Sequence, residues 1–238
     1  MQKRLYVLML LFLFCLQAAV AQLQSPDQFL GYKLGTRYTP HWRLIEYYRH
    51  VAAAVPSMVK LHQYGQTNEG RPLIVAYVSA AANIRNLEAI RTNNLRLAHQ
   101  ASDKTPGTTA NAPVIVWLSY NVHGNETSSS EASIMTLYAL LDPANTKTKN
   151  WLQNTVVIID PCLNPDGRDR YVNWFNSVSG KRYNPQPDAR EHREPWPGGR
   201  TNHYNFDLNR DWAWQTQVES RQRIKLYNEW LPQIHVDF

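Results

Sequence analysis

The sequence has 238 residues and a formal net charge of +6, with 43% hydrophobic and 18% charged residues. This is an ordinary globular composition, and a chain of this length can bury one sizeable core. The positive charge is small and scattered, so it gives no support to a nucleic-acid-binding function.

The first 21 residues have the pattern of a secretory signal peptide. Lys3 and Arg4 precede an apolar stretch over residues 5–16, and Ala19-Val-Ala21 supplies an A-x-A cleavage site. The apolar stretch is too short to span a bilayer, so we expect cleavage after Ala21 rather than a membrane anchor. The mature protein is then exported, to the periplasm or the extracellular space, with a formal charge lowered from +6 to +4 by the loss of two basic residues.

Cys162 is the only cysteine that remains after this cleavage, which excludes an intramolecular disulfide in the mature chain. It lies between apolar Ile159 and Leu163, so we expect a buried structural residue. A zinc thiolate is the alternative interpretation.

Predicted helices and strands alternate along the chain. Periodicity predicts helices over residues 41–55, 83–100, 129–141 and 215–230, and strands over residues 59–66, 72–80, 114–118, 155–159 and 233–238. This order favours one α/β domain with a mixed, largely parallel central sheet and helices on both faces. Residues 168–212 are polar, aromatic and rich in Pro and Gly, which predicts a long, irregular and ordered functional segment.

The segment Ser119-Tyr-Asn-Val-His-Gly-Asn-Glu126 places a histidine and a glutamate three residues apart, where a buried strand ends and a helix is about to begin. Strand-to-helix loops are where α/β proteins usually keep their chemistry. An imidazole and a carboxylate so close together can face one small cation, and this pair of ligand types suits zinc. A surface His123 beside a helix-start Glu126 is the alternative, since the spacing alone is weakly specific.

Two further segments stand at comparable places. Asn164-Pro-Asp-Gly167 directly follows the strand predicted over residues 155–159, and Asp207-Leu-Asn-Arg-Asp-Trp212 lies at the end of the irregular stretch. Together with His123-Gly-Asn-Glu126, in this order, they resemble the carboxypeptidase A-like zinc metallocarboxypeptidases over roughly residues 38–238. The resemblance implies that family's fold, Zn²⁺ as cofactor, and hydrolysis of C-terminal residues from peptides that carry a free terminal carboxylate.

The resemblance also implies roles for individual residues. His123 and Glu126 match the first two zinc ligands. Asn209 and Arg210 match the pair that holds the terminal carboxylate of the substrate. A guanidinium suits this task because it grips a carboxylate with two parallel charge-assisted hydrogen bonds.

Two arginine assignments stay open at this point. Without the motif, Arg210 would be interpreted as an ordinary ion-pair partner of Asp207 or Asp211. A further arginine of the family polarises the scissile carbonyl and stabilises the oxyanion. Arg193 and Arg200 both match its expected position, and Arg200 is the first choice.

The sequence departs from the family pattern at the third zinc ligand, a histidine that ends a strand two residues after an aspartate. With Asp237 as that aspartate, the ligand is expected after Phe238, together with the family's general-base Glu and substrate-capping Tyr. His235 is the only local substitute, and we expect a histidine packed in the sheet instead. Residues 22–238 are therefore expected to be an incomplete peptidase domain that is inactive by itself.

Two other functions are compatible with the sequence. One is a zinc amidohydrolase that acts on cell-wall peptides or acylated amino acids. The other is a non-catalytic peptide-binding domain that has lost the third ligand. The side-chain preference of the substrate cannot be predicted from these residues.

Overall fold

The computed structural model describes residues 22–238. The predicted signal peptide, residues 1–21, lies outside the described residues. Within residues 22–238, each helix is too short or too polar to cross a membrane.

The described residues form eight α-helices and five β-strands, joined by two short 3₁₀ turns. The helices are α1 (Pro26–Leu30), α2 (His41–Ala54), α3 (Ala81–Arg85), α4 (Leu87–Leu97), α5 (Ser128–Leu141), α6 (Thr146–Gln153), α7 (Pro165–Val178) and α8 (Val218–Trp230). The strands are β1 (Val59–Gln66), β2 (Pro72–Val78), β3 (Val114–Ser119), β4 (Thr155–Asp160) and β5 (Ile234–Asp237). The 3₁₀ turns are Arg190–His192 and Leu208–Arg210.

The five strands form one mixed sheet in the order β1-β2-β4-β3-β5. Strand β2 is antiparallel to both of its neighbours, whereas β3 is parallel to β4 and to β5. All strands except β2 therefore run in the same direction, which confirms the predicted mixed, largely parallel sheet. The carboxyl ends of β4, β3 and β5 meet at one edge, where Ser119 is paired with both Asp160 and Asp237.

Helices cover both faces of this sheet, as the sequence predicted. On one face, α2 and α5 bury residues such as Leu44 and Ile134 against the sheet. On the other face, α4 and α8 bury Leu87, Leu226 and Trp230. Fully burying a large apolar side chain contributes about 1.5–3 kcal/mol, so the two apolar layers together hold the sheet edge in place.

Helix α7 corrects the prediction of an irregular segment over residues 168–212. The Asn164 side chain caps this helix by accepting a hydrogen bond from the amide of Gly167 at 3.0 Å, and Pro165 occupies its first turn. Only part of the helix faces the core, because several of its aromatic side chains stay half-exposed. Its apolar periodicity is therefore weak, although the capping signals were present in the sequence.

The shorter helices also differ from the predictions. Helix α6 was not predicted at all, and the helix expected over residues 83–100 is divided at Asn86 into α3 and α4. Neither difference affects the sheet edge.

Candidate functional site

The loop after β3 brings His123 and Glu126 together. The His123 ring is buried, and its Nδ1 lies 3.2 Å from Glu126 Oε1. In a tetrahedral site with Zn–N and Zn–O bonds of about 2.0–2.1 Å, two ligand atoms lie about 3.3 Å apart. The pair thus has both the donor types and the separation of two ligands on one zinc ion.

Asp207 holds the opposite side of the imidazole. Its Oδ1 lies 3.1 Å from His123 Nε2, so each ring nitrogen faces a different carboxylate. A carboxylate on the far nitrogen fixes the ring orientation and leaves the near nitrogen free to bind a metal. The sequence pointed to the Asp207 segment but not to this contact, since the two residues are 84 positions apart.

The charge of Asp207 is stabilised by its surroundings. Burial alone raises the pKa of Asp207, but the Asn209 amide, the His123 ring and the Arg200 guanidinium together lower this pKa below its ordinary value. Its Oδ1 also accepts the amide hydrogen bond of Asn209 at 2.9 Å, which fixes the start of the 3₁₀ turn.

Asn121 fixes the backbone of the same loop. Its Nδ2 donates to the carbonyl oxygens of His123 at 2.7 Å and of Glu126 at 3.1 Å. Its φ of +62° lies in the left-handed region that asparagine tolerates. Arg168, which is fully buried, donates to Asn121 Oδ1 at 3.1 Å and so connects the Asn121 side chain to α7. Neither residue was predicted from the sequence, because both act on backbone atoms and on each other.

The structure places Arg200, and not Arg193, beside this pair. Arg200 Nη2 lies 3.1 Å from Asp207 Oδ2, and its Nη1 lies 3.9 Å from Glu126 Oε1. The Arg200 side chain is 46% exposed, so it can reorient towards a ligand. Arg193 forms an ion pair with Asp188 instead, with both side chains on the surface. We call His123, Glu126, Asp207 and Arg200 the His123 site.

Asn209 and Arg210 lie on the 3₁₀ turn directly after Asp207. Leu208, in the same turn, packs with Val122 and Leu163 from the loops that follow β3 and β4. The turn is therefore held against the sheet edge, while Arg210 itself is exposed and its Nη1 donates to the Asn209 carbonyl at 3.2 Å.

The ion-pair alternative for Arg210 is not found among residues 22–238. Asp207 pairs with His123 and Arg200. Asp211 accepts hydrogen bonds from the amides of Thr216 and Gln217, at 2.9 and 2.8 Å. The guanidinium of Arg210 thus keeps its charge available for a ligand.

His235 lies on β5, the strand at one edge of the sheet, where it is exposed rather than packed inside the sheet as the sequence predicted. Its Nε2 lies 2.9 Å from Ser119 Oγ. Its ring centroid lies 5.3 Å from that of Trp212 and 5.3 Å from that of Tyr227. These three contacts hold the ring, and within residues 22–238 no hydrogen bond joins it to His123 or Glu126.

Cys162 is a buried structural residue. Its Sγ lies 3.6 Å from Asn121 Oδ1, and burial raises the pKa of its thiol to about 12. A protonated, enclosed thiol supports the structural interpretation rather than the zinc-thiolate alternative.

A second group of possible metal ligands lies elsewhere in the described residues: Glu69, Asp166 and His203 converge on one point. An arginine already occupies that point. Arg71 Nη1 lies 2.5 Å from Glu69 Oε2 and 2.7 Å from Asp166 Oδ1, and its Nε lies 2.7 Å from Asp169 Oδ2. These five residues, which we call the Arg71 cluster, form an ion-pair network that links the turn between β1 and β2 to α7, with the Arg71 guanidinium among the carboxylates.

Comparison with known proteins gives the family. The model of the zinc carboxypeptidase family, peptidase M14, matches residues 44–229. The chain belongs to the zinc carboxypeptidase family. This family consists of zinc-dependent hydrolases, so the match confirms the resemblance found in the sequence and supports a metallocarboxypeptidase type of function. No curated protein sequence matches the chain.

Solved structures share the fold of this family member at low sequence identity. Thrombin activatable fibrinolysis inhibitor is 12% identical with a TM-score of 0.53, and the match covers 93% of this chain and 50% of that one. A metallo-carboxypeptidase from Burkholderia cenocepacia is 15% identical with a TM-score of 0.50, covering 81% of this chain and 39% of that one. The bovine thrombin-activatable fibrinolysis inhibitor, in complex with a tick carboxypeptidase inhibitor, is 14% identical with a TM-score of 0.50, covering 84% and 60%. The chain thus spans between 39% and 60% of the length of these proteins.

Proposed function

We propose that this protein is a zinc-dependent metallocarboxypeptidase that removes C-terminal residues from peptides. One observation carries the proposal: His123 Nδ1 and Glu126 Oε1 are 3.2 Å apart, while Asp207 holds the other nitrogen of the same ring. Membership of the zinc carboxypeptidase family supports the reaction class.

His123 and Glu126 would hold the zinc ion, which when bound supplies a Lewis acid and lowers the pKa of a coordinated water. Asp207 keeps the His123 ring in the orientation that presents Nδ1, and Asn121 keeps the two ligands at their separation. The family resemblance also implies a third ligand, a histidine, and a general-base glutamate.

The arginines of this chain bind and orient the substrate in this proposal. Arg210 and Asn209 receive the terminal carboxylate, because Arg210 is exposed and without an acidic partner within residues 22–238. Arg200 donates to the carbonyl oxygen of the scissile bond, where negative charge develops. Its distance of 3.9 Å from Glu126 Oε1 places its guanidinium next to the proposed metal ligands.

The substrates we propose are peptides with a free C-terminal carboxylate. The signal-peptide pattern of the first 21 residues supports an exported enzyme. An exopeptidase of this kind releases one residue in each reaction, because the carboxylate site fixes the distance between the chain end and the bond that breaks.

Matched peptides test this function. A peptide with a free carboxylate and its C-terminal amide are incubated with the protein in zinc-containing buffer, and products are identified by mass spectrometry. From a chain that includes the third ligand, we expect products one residue shorter from the free acid alone, and none after chelation. From residues 22–238 alone we expect no trimming. Cleavage of the amide, or of acylated amino acids without peptide trimming, would contradict the proposal and favour an amidohydrolase.

A further inference from the structure

An aromatic cleft of about 690 Å³ lies next to the loop of the His123 site. Tyr171, Trp174 and Phe175 stand on one side of α7, at the i, i+3 and i+4 positions that share a helix face. Tyr38 and Tyr183 extend the wall, with ring centroids 4.8 Å and 6.1 Å from Phe175. These rings line an open cleft instead of filling a core, since none of the five is fully buried.

Two carboxylates line the same cleft without a cationic partner. Among residues 22–238, no Lys, Arg or His nitrogen lies within 4.0 Å of the Glu191 or Glu194 oxygens. Neutral donors hold them instead: the Asn184 amide donates to Glu191 Oε1 at 2.6 Å, and Asn125 Nδ2 donates to Glu194 Oε2 at 2.9 Å. The negative charge of both groups is therefore not neutralised by an ion pair.

One lining group can carry a positive charge, His192. Its Nε2 lies 2.6 Å from the carbonyl oxygen of Asn184, so this ring edge is directed at the backbone. Arg170, which lines the adjoining cavity with Trp174 and Glu194, donates to the carbonyl oxygens of Gly198 at 2.9 Å and Asn202 at 3.2 Å and to neither glutamate.

Glu194 connects the cleft to the proposed reaction centre. It holds Asn125, which lies between the two proposed zinc ligands, and it also accepts the amide hydrogen bond of Gly199, the residue before Arg200. Burial, the neighbouring Tyr38 and the Glu194 charge raise the pKa of Tyr171 to about 12, in agreement with a carboxylate close to that ring. The cleft therefore begins where the His123 site ends.

An aromatic wall with unpaired carboxylates matches an ammonium or guanidinium group, which is attracted both to the ring faces and to the negative charge. A neutral ligand would contact the rings but would leave the two carboxylates without a cationic partner. Asn209 and Arg210, which are proposed to hold the terminal residue, do not line this cleft, so the cleft is left for residues that precede the scissile bond.

We propose that this cleft binds the side chain of a Lys or Arg residue in the peptide substrate, on the N-terminal side of the scissile bond. The inference rests on the proposed function, because it names the substrate class of the same site. It makes Glu194 and Trp174 specificity-determining residues.

Amidated hexapeptides test the cleft separately from the carboxylate site. Lys, its uncharged analogue norleucine, or Glu is placed at each of the four positions before the last two residues, and dissociation constants are measured by calorimetry in zinc-containing buffer. At one position we expect Lys to bind about tenfold more tightly than norleucine, and Glu more weakly than both. Equal affinities, or no binding of any amidated peptide, would overturn the inference.

Matched variants locate the effect. Glu194→Gln keeps an acceptor for the Gly199 amide but removes the charge, so the preference for Lys should fall to threefold or less. Trp174→Leu should also weaken binding of the Lys peptide severalfold, while circular dichroism shows an unchanged fold. The control Glu229→Gln alters an exposed glutamate on α8 and should leave the preference intact. A preference that survives both cleft variants would contradict the assignment.

The free-acid forms of the same peptides separate the two proposals. If the Lys preference holds but no free acid is bound more tightly or trimmed by any chain, the cleft stands and the carboxypeptidase proposal fails. If free acids are trimmed with no preference for Lys, the carboxypeptidase proposal stands and the cleft inference fails.

Discussion

The His123 site and the Arg71 cluster contain the same kinds of groups: one histidine, at least two carboxylates and one arginine. They differ in where the arginine lies. In the Arg71 cluster the guanidinium is 2.5–2.7 Å from three carboxylates and forms an ion pair with each of them. In the His123 site, Arg200 stays 3.9 Å from Glu126 Oε1, which therefore remains opposite His123 Nδ1.

The carboxylates of the two clusters also differ in how far they are buried. The side chain of Asp166 in the Arg71 cluster is 0% exposed, whereas that of Glu126 is 53% exposed. A buried carboxylate is costly unless a cationic group or hydrogen-bond donors lie beside it. An exposed carboxylate stays hydrated and can bind an ion from solvent. The two clusters thus have similar types of side chain but differ in how open their carboxylates are to a cation from solvent.

The largest expected effect is the loss of zinc binding in Glu126→Ala, because it removes one of the two proposed zinc ligands at the His123 site. Histidine side-chain resonances measured by NMR during a zinc titration should show a shift of His123 in the wild type and none in this variant. The control Glu69→Ala should leave the His123 shift unchanged. A zinc response that depends on Glu69 and not on Glu126 would reverse the two assignments.

Removing the guanidinium of the Arg71 cluster tests whether this arginine stabilises the fold. Arg71→Ala leaves the buried carboxylate of Asp166 without its cationic partner. We therefore expect the free energy of unfolding, measured by urea denaturation, to fall by about 2–4 kcal/mol. Arg200→Ala, at a half-exposed arginine, should cost less than about 1 kcal/mol. Equal losses would show that the two arginines do not differ in structural role.

Asp207→Asn sharpens the comparison within the His123 site. The amide keeps the shape of the side chain but removes the negative charge that orients the imidazole, so zinc affinity should fall about ten- to a hundredfold. The same titration measures it, and circular dichroism checks the fold. An unchanged affinity would mean that the bond to Nε2 has no influence on Nδ1.

A third type of carboxylate is buried without either a metal or an ion pair. Burial raises the pKa of Asp160 to about 7, although its Oδ2 accepts a hydrogen bond from Tyr64 at 2.9 Å. Between about pH 4 and pH 7 the native state keeps a proton that the unfolded state has released, so stability falls as pH rises through this window. Asp160→Asn should therefore gain about 1–3 kcal/mol relative to the wild type at pH 8, and much less at pH 4.

Urea unfolding at the two pH values measures this difference, with the exposed Asp188→Asn as the control. A gain that is the same at pH 4 and pH 8 would show that Asp160 does not titrate as its burial indicates.

The sheet and its helices could largely be predicted from the sequence. Strands β3 and β4 are continuous apolar runs because both faces of each are covered, and their predicted bounds differ from the observed ones by a single residue at the carboxyl end. Helix α7 was missed because its aromatic side chains line a cleft, so that burial does not impose a regular apolar period on it.

The candidate site was predictable only in part. Local spacing pointed to His123 and Glu126, since both lie on one short loop. The contacts of Asp207 and Arg168 join segments that are far apart in sequence, and Asn121 acts through backbone carbonyls. Such roles depend on how the chain folds back on itself, and no local pattern records them.

The most direct test of a zinc site at His123 and Glu126 is anomalous diffraction at the zinc absorption edge from crystals soaked in zinc. We expect a peak within bonding distance of both His123 Nδ1 and Glu126 Oε1, with Asp207 still hydrogen-bonded to Nε2. A peak at the Arg71 cluster or at His235, with none at His123, would contradict it.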